Sequence, residues 1–279
     1  IKEAGAGDIV AISGISDITI GETIADVKEP IALPQLRVEE PTIRMTFSVN
    51  SSPFAGKEGK FKTSREIAER LFKELETDVA LRVQDSEKGE WIVSGRGELH
   101  LAILIERMRR EGYEFQVARP QVITKMTGGV KQTPYEQVFI EVPEQYSGVV
   151  MQKMGSRHGE LIDMKTAGNI VFYEFVISTR ELFGYRSEFI TDTKGLGIIN
   201  TLFLEYRPEN QNAFMRDHGS LVSHESGVTK TYGLVKAQER GTIFVEAGQL
   251  VYKGQVIGEN SRSEDIRVNV CREKHLTNM

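Results

Sequence analysis

The start of the chain alternates hydrophobic and polar positions in short segments that are separated by turn-forming glycines. The segments span residues 8–14, 15–20 and 21–26. An alternation of period two is typical of half-buried strands, so the pattern predicts the last strands of a β-barrel whose other strands lie outside this sequence. Pro30, Pro34 and Pro41 predict an extended connector after them, because proline fixes φ and disfavours helix at the preceding residue.

Residues 42–118 predict the order strand, helix, strand, strand, helix, strand. The first helix is predicted to follow Thr63, because Thr63 and Glu66 have the spacing of a capping box. The second helix begins near Gly97 and ends at Gly112, and both helices carry apolar residues every three or four positions. Strands are predicted at 43–49, 79–83, 91–93 and 113–117. This order is the split βαβ, or ferredoxin-like, unit.

The same order recurs after Gly128 and Gly129, which we interpret as a domain boundary. The predicted strands are 136–142, 160–164, 170–177 and 198–206, and the predicted helices are 146–154, closed by Gly155, and 185–193, closed by Gly195. Beyond Pro208, turn signals separate further strands predicted at 219–223, 231–238, 241–245, 251–257 and 266–270.

The predicted fold class is therefore α+β. Two tandem ferredoxin-like (split βαβ) α/β sandwiches are followed by a β-rich C-terminal domain and preceded by the tail of a β-barrel. We expect the domains to occupy residues 1–39, 40–127, 128–208 and 209–279.

Composition excludes several classes of protein. The net charge of −5 is spread without a large positive excess in any segment, so RNA contact would require local basic patches. No apolar run approaches the roughly 20 residues that span a bilayer. The single cysteine, Cys271, cannot form an internal disulfide, and the five histidines lack the spacing of metal ligands. We expect a cytoplasmic protein without structural zinc.

No stretch has the spacing of a nucleotide-binding P-loop, Gly-x-x-x-x-Gly-Lys-Ser/Thr. The run Gly56-Lys-Glu-Gly-Lys-Phe places its glycines and lysines differently. The segment 192–195 matches the loose Asp-x-x-Gly pattern of a GTPase switch, but Gly195 is better explained as a helix terminator. Glu98 and His100 point about 200° apart on a helix, so they indicate a helix start rather than an acid–base pair. We predict no catalytic, cofactor-binding or metal-binding residue.

Basic residues offer the remaining chemistry. Lys57, Lys60, Lys62 and Arg65 lie in one polar loop and the following helix start, beside aromatic residues, which suits phosphate contact as well as an ordinary solvated loop. The loop 154–159 either presents Arg157 and His158 to RNA or merely turns the chain.

Long runs of the sequence resemble the TypA/BipA translational GTPases, relatives of elongation factor G. The runs are residues 40–47, 52–60, 63–65, 70–83, 94–106, 183–189, 252–258, 260–263 and 276–279. The resemblance implies that full-length members carry an N-terminal GTP-binding domain, a β-barrel, two ferredoxin-like domains and a family-specific C-terminal domain. It places GTP and Mg²⁺ in an N-terminal domain outside this sequence, so we expect no cofactor and no GTP hydrolysis in this chain.

The resemblance also implies binding at the factor site of the ribosome, with roles in stress adaptation and ribosome assembly. The implied partners are rRNA, ribosomal proteins and A-site tRNA, whose acceptor end the C-terminal domain approaches, and we expect a monomer that binds no membrane. The hypothesised RNA contacts are Lys57, Lys60, Lys62, Arg65, Arg157, His158, Arg186, Arg262 and Lys274.

Two other functions stay open. A separate RNA-binding protein could be built from ferredoxin-like modules, although residues 92–97 lack the aromatic signature of an RNA-recognition-motif strand. A small enzyme could use the same fold, because fold alone does not fix function.

Overall fold

A computed structural model gives the structure of the chain and describes residues 3–15, 18, 20–34, 40–86, 89–209 and 218–273. The chain divides into two compact units, Ile1–Gln211 and Asn212–Met279. Each unit is considered by itself below.

The first α/β sandwich has the predicted element order. Its elements are β1 (Ile43–Ser48), α1 (Ser64–Glu74), β2 (Arg82–Asp85), β3 (Glu90–Gly95), α2 (Glu98–Glu111), β4 (Gln116–Val117) and β5 (Gln121–Val122). The antiparallel sheet has the strand order β2-β3-β1-β4, and β5 also pairs with β1. The ferredoxin-like prediction is confirmed for this part of the chain.

Local signals fix both helices of this sandwich. The Thr63 side chain accepts from the backbone N–H of Glu66, and the Glu66 carboxylate accepts from the backbone N–H of Thr63. Gly112 ends α2 with a φ of 92°, a left-handed conformation that glycine adopts without steric cost. The apolar stripes of the two helices meet the strands in one core, which includes Phe47, Leu71 and Leu101.

Two charged residues of α1, Arg70 and Glu74, join this helix to α2. The Arg70 guanidinium donates to both Glu111 oxygens, at 2.5 and 2.9 Å, and to Glu74 at 2.7 Å. Hydrogen bonds to Glu111 and then to Glu74 raise the pKa of Arg70, although its partial burial acts against them. Arg107 on α2 also reaches Glu74, at 3.0 Å, so the buried Glu74 carboxylate bridges the two helices.

The second sandwich repeats the order. Its elements are β6 (Lys125–Thr127), β7 (Val130–Pro143), a short 3-10 turn (Glu144–Tyr146), α3 (Ser147–Ser156), β8 (Glu160–Ala167), β9 (Ile170–Ser178), α4 (Thr179–Leu182), α5 (Tyr185–Asp192) and β10 (Ile198–Pro208). The strand order is β10-β7-β9-β8, again antiparallel, with β6 paired to β7. A core that includes Ile140, Phe175 and Phe189 lies between sheet and helices.

The structure locates three glycines that were predicted to mark boundaries in or before this sandwich. Gly128 and Gly129 have φ values of 58° and 78° and form the tight turn between β6 and β7, so they lie within one hairpin rather than between elements of two sheets. Gly155 does not end α3, which continues to Ser156; the residue with positive φ is His158, at 57°. The domain boundaries themselves stay predictions.

The second unit is β-rich but contains a helix where a strand was predicted. Its elements are β11 (Ser220–Ser223), β12 (Gly227–Val228), α6 (Thr231–Gln238), β13 (Gly241–Ile243), β14 (Leu250–Val251), β15 (Val256–Asn260) and β16 (Ile266–Val268). One sheet has the order β13-β15-β11-β16, and β12 pairs with β14. The strand prediction for 231–238 is wrong because Leu234 and Ala237, three positions apart, share the buried face of a helix.

The barrel strands predicted near the start are not present among the described residues 3–15, 18 and 20–34. A strand needs a neighbour to take up its backbone hydrogen bonds, and no described residue pairs with this segment. Its alternating apolar side chains, such as Ile9, Ile12 and Ile24, are exposed.

Leu101→Ala should destabilise the first sandwich far more than Leu99→Ala, its control on the same helix. Leu101 is 0% exposed and Leu99 is 50% exposed. We expect a loss of about 2–5 kcal/mol in unfolding free energy for Leu101→Ala and of about 0.5 kcal/mol or less for Leu99→Ala, measured by urea unfolding. Equal losses would contradict the packing described here.

Candidate nucleic-acid interface

The basic loop, residues 50–62 between β1 and α1, folds around one carboxylate. Glu114 accepts hydrogen bonds from the backbone N–H groups of Gly56 at 2.6 Å, Glu58 at 3.0 Å and Gly59 at 3.1 Å. The Asn50 side-chain amide donates a fourth, at 2.9 Å. Consecutive N–H groups that converge in this way form a concavity that suits an anion. Here the protein's own carboxylate fills it.

The end of the loop is fixed against the segment that carries Glu114. Lys60 and Phe61 donate their backbone N–H groups to the Gly112 carbonyl, at 2.8 and 3.1 Å, and the N–H of Glu114 donates to Phe61 at 2.8 Å. A Cβ atom at Gly59 would lie 2.4 Å from the Glu114 Cβ. Only glycine allows this close approach of the two segments.

These contacts keep Glu114 ionised. Hydrogen bonds from the N–H groups of Gly56, Glu58 and Gly59 lower the pKa of Glu114 to about 2. The side chain is nearly buried, with 8% of the residue exposed. Because the loop directs these N–H groups inward, its positive side chains are left on the outside, where Lys57, Lys60 and Lys62 are exposed.

The four predicted basic residues of this region differ in what they contact. The Lys62 ammonium donates to the Gly56 carbonyl at 3.3 Å, and Arg65 pairs with Glu69 at 2.8 Å on the exposed face of α1. The Lys57 ammonium lies 4.9 Å from the centre of the Phe54 ring. Within the described ranges, neither Lys57 nor Lys60 has an ion pair, so these two are best placed to meet an external anion.

Arg157 does not fit the predicted RNA contact. It is 4% exposed, and its guanidinium donates to the Glu181 and Phe183 carbonyls at 2.8 and 2.9 Å and to the Glu188 carboxylate at 2.6 Å. The prediction for Arg157 is wrong because the interior of the sandwich uses its donors. His158 stays half exposed, although its Nδ1 lies 2.9 Å from the buried Glu181 carboxylate.

The three other predicted contacts lie apart from the loop in the sequence. Arg186 is half-buried, donates to the Ile199 carbonyl at 3.2 Å and lines a cavity of about 470 Å³ between the two sandwiches. Arg262 is exposed on the turn after β15. Lys274 lies outside the described residues. Their RNA contacts stay predictions.

The residues at the start of α2 hold the structure together. The Glu98 carboxylate accepts from the Gly184 N–H at 3.3 Å, and Phe183 packs against the core of the first sandwich. His100 Nδ1 accepts from the Arg96 N–H at 3.3 Å while its Nε2 bonds to Asp78. The segment 96–100 therefore begins α2 and joins the two sandwiches, in agreement with its interpretation as a helix start.

Three protein families match consecutive parts of the chain. Elongation Factor G, domain III, matches residues 58–119; Elongation factor G C-terminus matches 132–216; and the TypA/BipA C-terminal domain matches 218–279. The chain corresponds to the C-terminal region of the TypA/BipA proteins. Its three matched regions correspond to the two sandwiches and the β-rich unit.

Relatives in the TypA/BipA family match over almost the whole chain. The large ribosomal subunit assembly factor BipA of Synechocystis sp. is 53% identical over 100% of this chain and 47% of its own length. The Bacillus subtilis protein of the same name is 50% identical over 100% of this chain and 46% of its own length. The putative elongation factor TypA-like SVR3, chloroplastic, of Arabidopsis thaliana is 48% identical over 98% and 41%. The chain thus spans about half the length of these relatives.

No local pattern in the sequence indicated Glu114 as the partner of the basic loop. Its partners Gly56 and Gly59 lie 58 and 55 positions away.

Within the described parts of the chain, no helix could cross a membrane, and no group of three or more His, Cys, Asp or Glu side chains could hold a metal ion.

Glu114→Gln should loosen the basic loop and lower the unfolding free energy by about 1–3 kcal/mol at neutral pH, because a charged acceptor is lost. Since the folded pKa of about 2 lies below the ordinary 4.5, this stabilisation is present above pH 4.5 and is lost as the pH falls through the folded value. The wild-type advantage in urea unfolding should therefore be constant from pH 7 to about pH 5 and then narrow.

Glu58→Gln is the matched control for this prediction. The Glu58 side chain is exposed, and only its backbone takes part in the contact with Glu114. We expect this control to change the unfolding free energy by about 0.5 kcal/mol or less. A Glu114→Gln effect that does not change with pH would show that the carboxylate does not bind the loop as a charge.

Proposed function

We propose that this chain is the ribosome-binding portion of a TypA/BipA-type large ribosomal subunit assembly factor. Relatives with that printed name match it at 49–53% identity along 99% or more of its length. The chain docks at the factor site through rRNA and A-site tRNA, and the whole protein acts in ribosome assembly and stress adaptation. It works as a monomer in the cytoplasm.

The observation that supports this function best is the shape of the basic loop. Glu114 fixes the backbone from inside, so Lys57 and Lys60 project from a constrained segment. Ammonium groups on a constrained backbone meet phosphate oxygens with less loss of conformational entropy than groups on a flexible loop.

The chemistry of GTP belongs to another part of the full protein in this proposal. GTP and Mg²⁺ bind an N-terminal domain, and nucleotide state acts on the ribosome through the portion described here. The chain by itself then binds ribosomes without hydrolysing GTP, which separates this function from that of a small enzyme on the same fold.

The alternative of a separate RNA-binding module finds less support in the sheets. RNA-recognition motifs stack bases on aromatic residues of the sheet face. The first sheet presents Arg44, Thr46 and Ile92 on the face away from its helices, without an aromatic neighbour in the paired strands. The second sheet has Phe139 and Phe172 on that face, but Glu174 and Glu141 lie directly opposite them, and these charges repel phosphate.

Replacing Lys57 and Lys60 together by alanine should weaken ribosome binding about tenfold or more, because two phosphate contacts are lost. The salt dependence should also flatten, by roughly 1.4–1.8 in the slope of log K against log salt. Cosedimentation of the whole chain with ribosomes at graded salt measures both effects, and a GTPase assay on the same material checks for hydrolysis.

The matched control replaces Lys165 and Lys253, two exposed lysines outside the basic loop, by alanine. It changes the net charge equally and should leave binding within about twofold of wild type. Equal losses in both double variants would reject the loop as a specific contact. GTP turnover by the purified chain would reject the proposal that this chain binds ribosomes while another domain hydrolyses GTP.

A further inference from the structure

A second basic surface lies in the C-terminal unit, in a place that none of the sequence motifs indicated. It is an open pocket of about 330 Å³. Its charged and aromatic lining, called the arginine pocket here, consists of Tyr232, Lys236, Glu239, Arg240, Arg267 and Arg272.

The fold of the unit brings these residues together from separate elements. Helix α6 supplies Tyr232 and Lys236, Arg240 follows its end, Arg267 lies on β16, and Arg272 follows that strand. The helix can lie so close because residue 233 is glycine. A Cβ atom there would be 2.6 Å from the Val270 carbonyl oxygen. The N–H of Lys230 donates to the same carbonyl at 2.8 Å, which fixes the start of the helix.

The charges in the pocket are strongly one-sided. Residues 212–279 contain nine basic and eight acidic residues, yet four of the basic ones and one acidic one line this pocket. The acidic residue, Glu239, is paired with Lys236 at 2.9 Å. Among the described residues, the side chains of Arg240, Arg267 and Arg272 form no ion pair. Three guanidinium groups that repel one another around one pocket favour a bound anion.

The chemistry of the lining indicates which anion fits. Guanidinium groups bind phosphate oxygens through two parallel hydrogen bonds, and Tyr232 is half-buried beside them as a platform for a base. The arginines come from a helix end, a strand and a turn, so they are spread for several phosphates rather than one. The pocket is open to the surface, so a nucleic-acid chain could enter it at one side and leave at the other.

We propose that the arginine pocket binds a segment of single-stranded RNA, with its arginines on phosphates and Tyr232 against a base. The inference deepens the proposed function, on which it rests for the source of the RNA, and it adds a contact separate from the basic loop. It assigns roles to Arg240, Arg267 and Arg272, none of which was a predicted contact.

The test uses the whole chain and a fluorescent single-stranded RNA of roughly 12 nucleotides, a length within the usual range for such sites. Binding is followed by fluorescence anisotropy at graded salt. Replacing Arg240, Arg267 and Arg272 together by alanine should weaken binding about a hundredfold, and Arg267→Ala alone about tenfold. Tyr232→Ala should weaken binding with little change in salt dependence, because stacking releases no counterions.

Lys253→Ala is the control for Arg267→Ala. It removes one exposed positive charge from the same unit, outside the pocket, and should leave the affinity within about twofold of wild type. Thermal unfolding of each variant checks that the unit is folded. If the triple variant unfolds, the comparison between Arg267→Ala and Lys253→Ala decides.

Three results would overturn the proposal: no binding of the RNA by the wild-type chain, unchanged binding by the folded arginine variants, or equal losses for Arg267→Ala and Lys253→Ala. Competition by GMP or pyrophosphate at the same concentration as RNA would assign the pocket to a small phosphate compound and reject the RNA segment. Ribosome cosedimentation is measured separately. If the chain does not cosediment with ribosomes while arginine-dependent RNA binding persists, the proposed function is rejected and the assignment of the arginine pocket remains.

Discussion

The shape of the basic loop depends on the carboxylate of Glu114. A carboxylate removed from water is costly unless its oxygens accept hydrogen bonds, and a loop that turns its N–H groups inward is costly unless an acceptor meets them. Each requirement satisfies the other here, since three backbone N–H groups and the Asn50 amide converge on one side chain. The side chains of Lys57 and Lys60 need not contribute to the folding of the loop, and these two lysines therefore stay available.

Arg157 uses the same principle with the opposite charge. Its guanidinium donates to the carbonyls of Glu181 and Phe183, so a buried cation fixes the backbone between α4 and α5. That segment carries Phe183 into the core of the first sandwich and Gly184 to the Glu98 carboxylate. In both places a buried charge holds an irregular backbone segment. In the second sandwich the residues so held, Phe183 and Gly184, contact the first sandwich, and in the basic loop they leave Lys57 and Lys60 exposed.

The parts of this structure that sequence predicts are those with local causes. The capping box of Thr63 and Glu66, the left-handed Gly112 and the apolar stripe of α2 lie within a few positions of one another, and the ferredoxin-like order follows from them. Arg157 was predicted to contact RNA, but burial depends on tertiary structure. The local sequence around Arg157 and His158 is the same whether the arginine is buried or exposed. The helix at 231–238 was missed because its apolar pattern is short, and its packing depends on Gly233 against the distant Val270.

The distribution of charge explains how a chain with a net charge of −5 can suit a polyanion. Bulk attraction is absent, so affinity has to come from sites at which positive groups are concentrated and their local counter-charges are engaged elsewhere. In the basic loop, Glu114 is directed inward onto backbone N–H groups. In the arginine pocket, Glu239 is paired with Lys236, which leaves three arginines uncompensated among the described residues. Acidic residues such as Glu141 and Glu174 lie on the sheet face of the second sandwich, where they disfavour contact with phosphate. Under the proposed function, each basic site favours RNA phosphates and the acidic sheet face disfavours them, so the negative net charge adds to specificity.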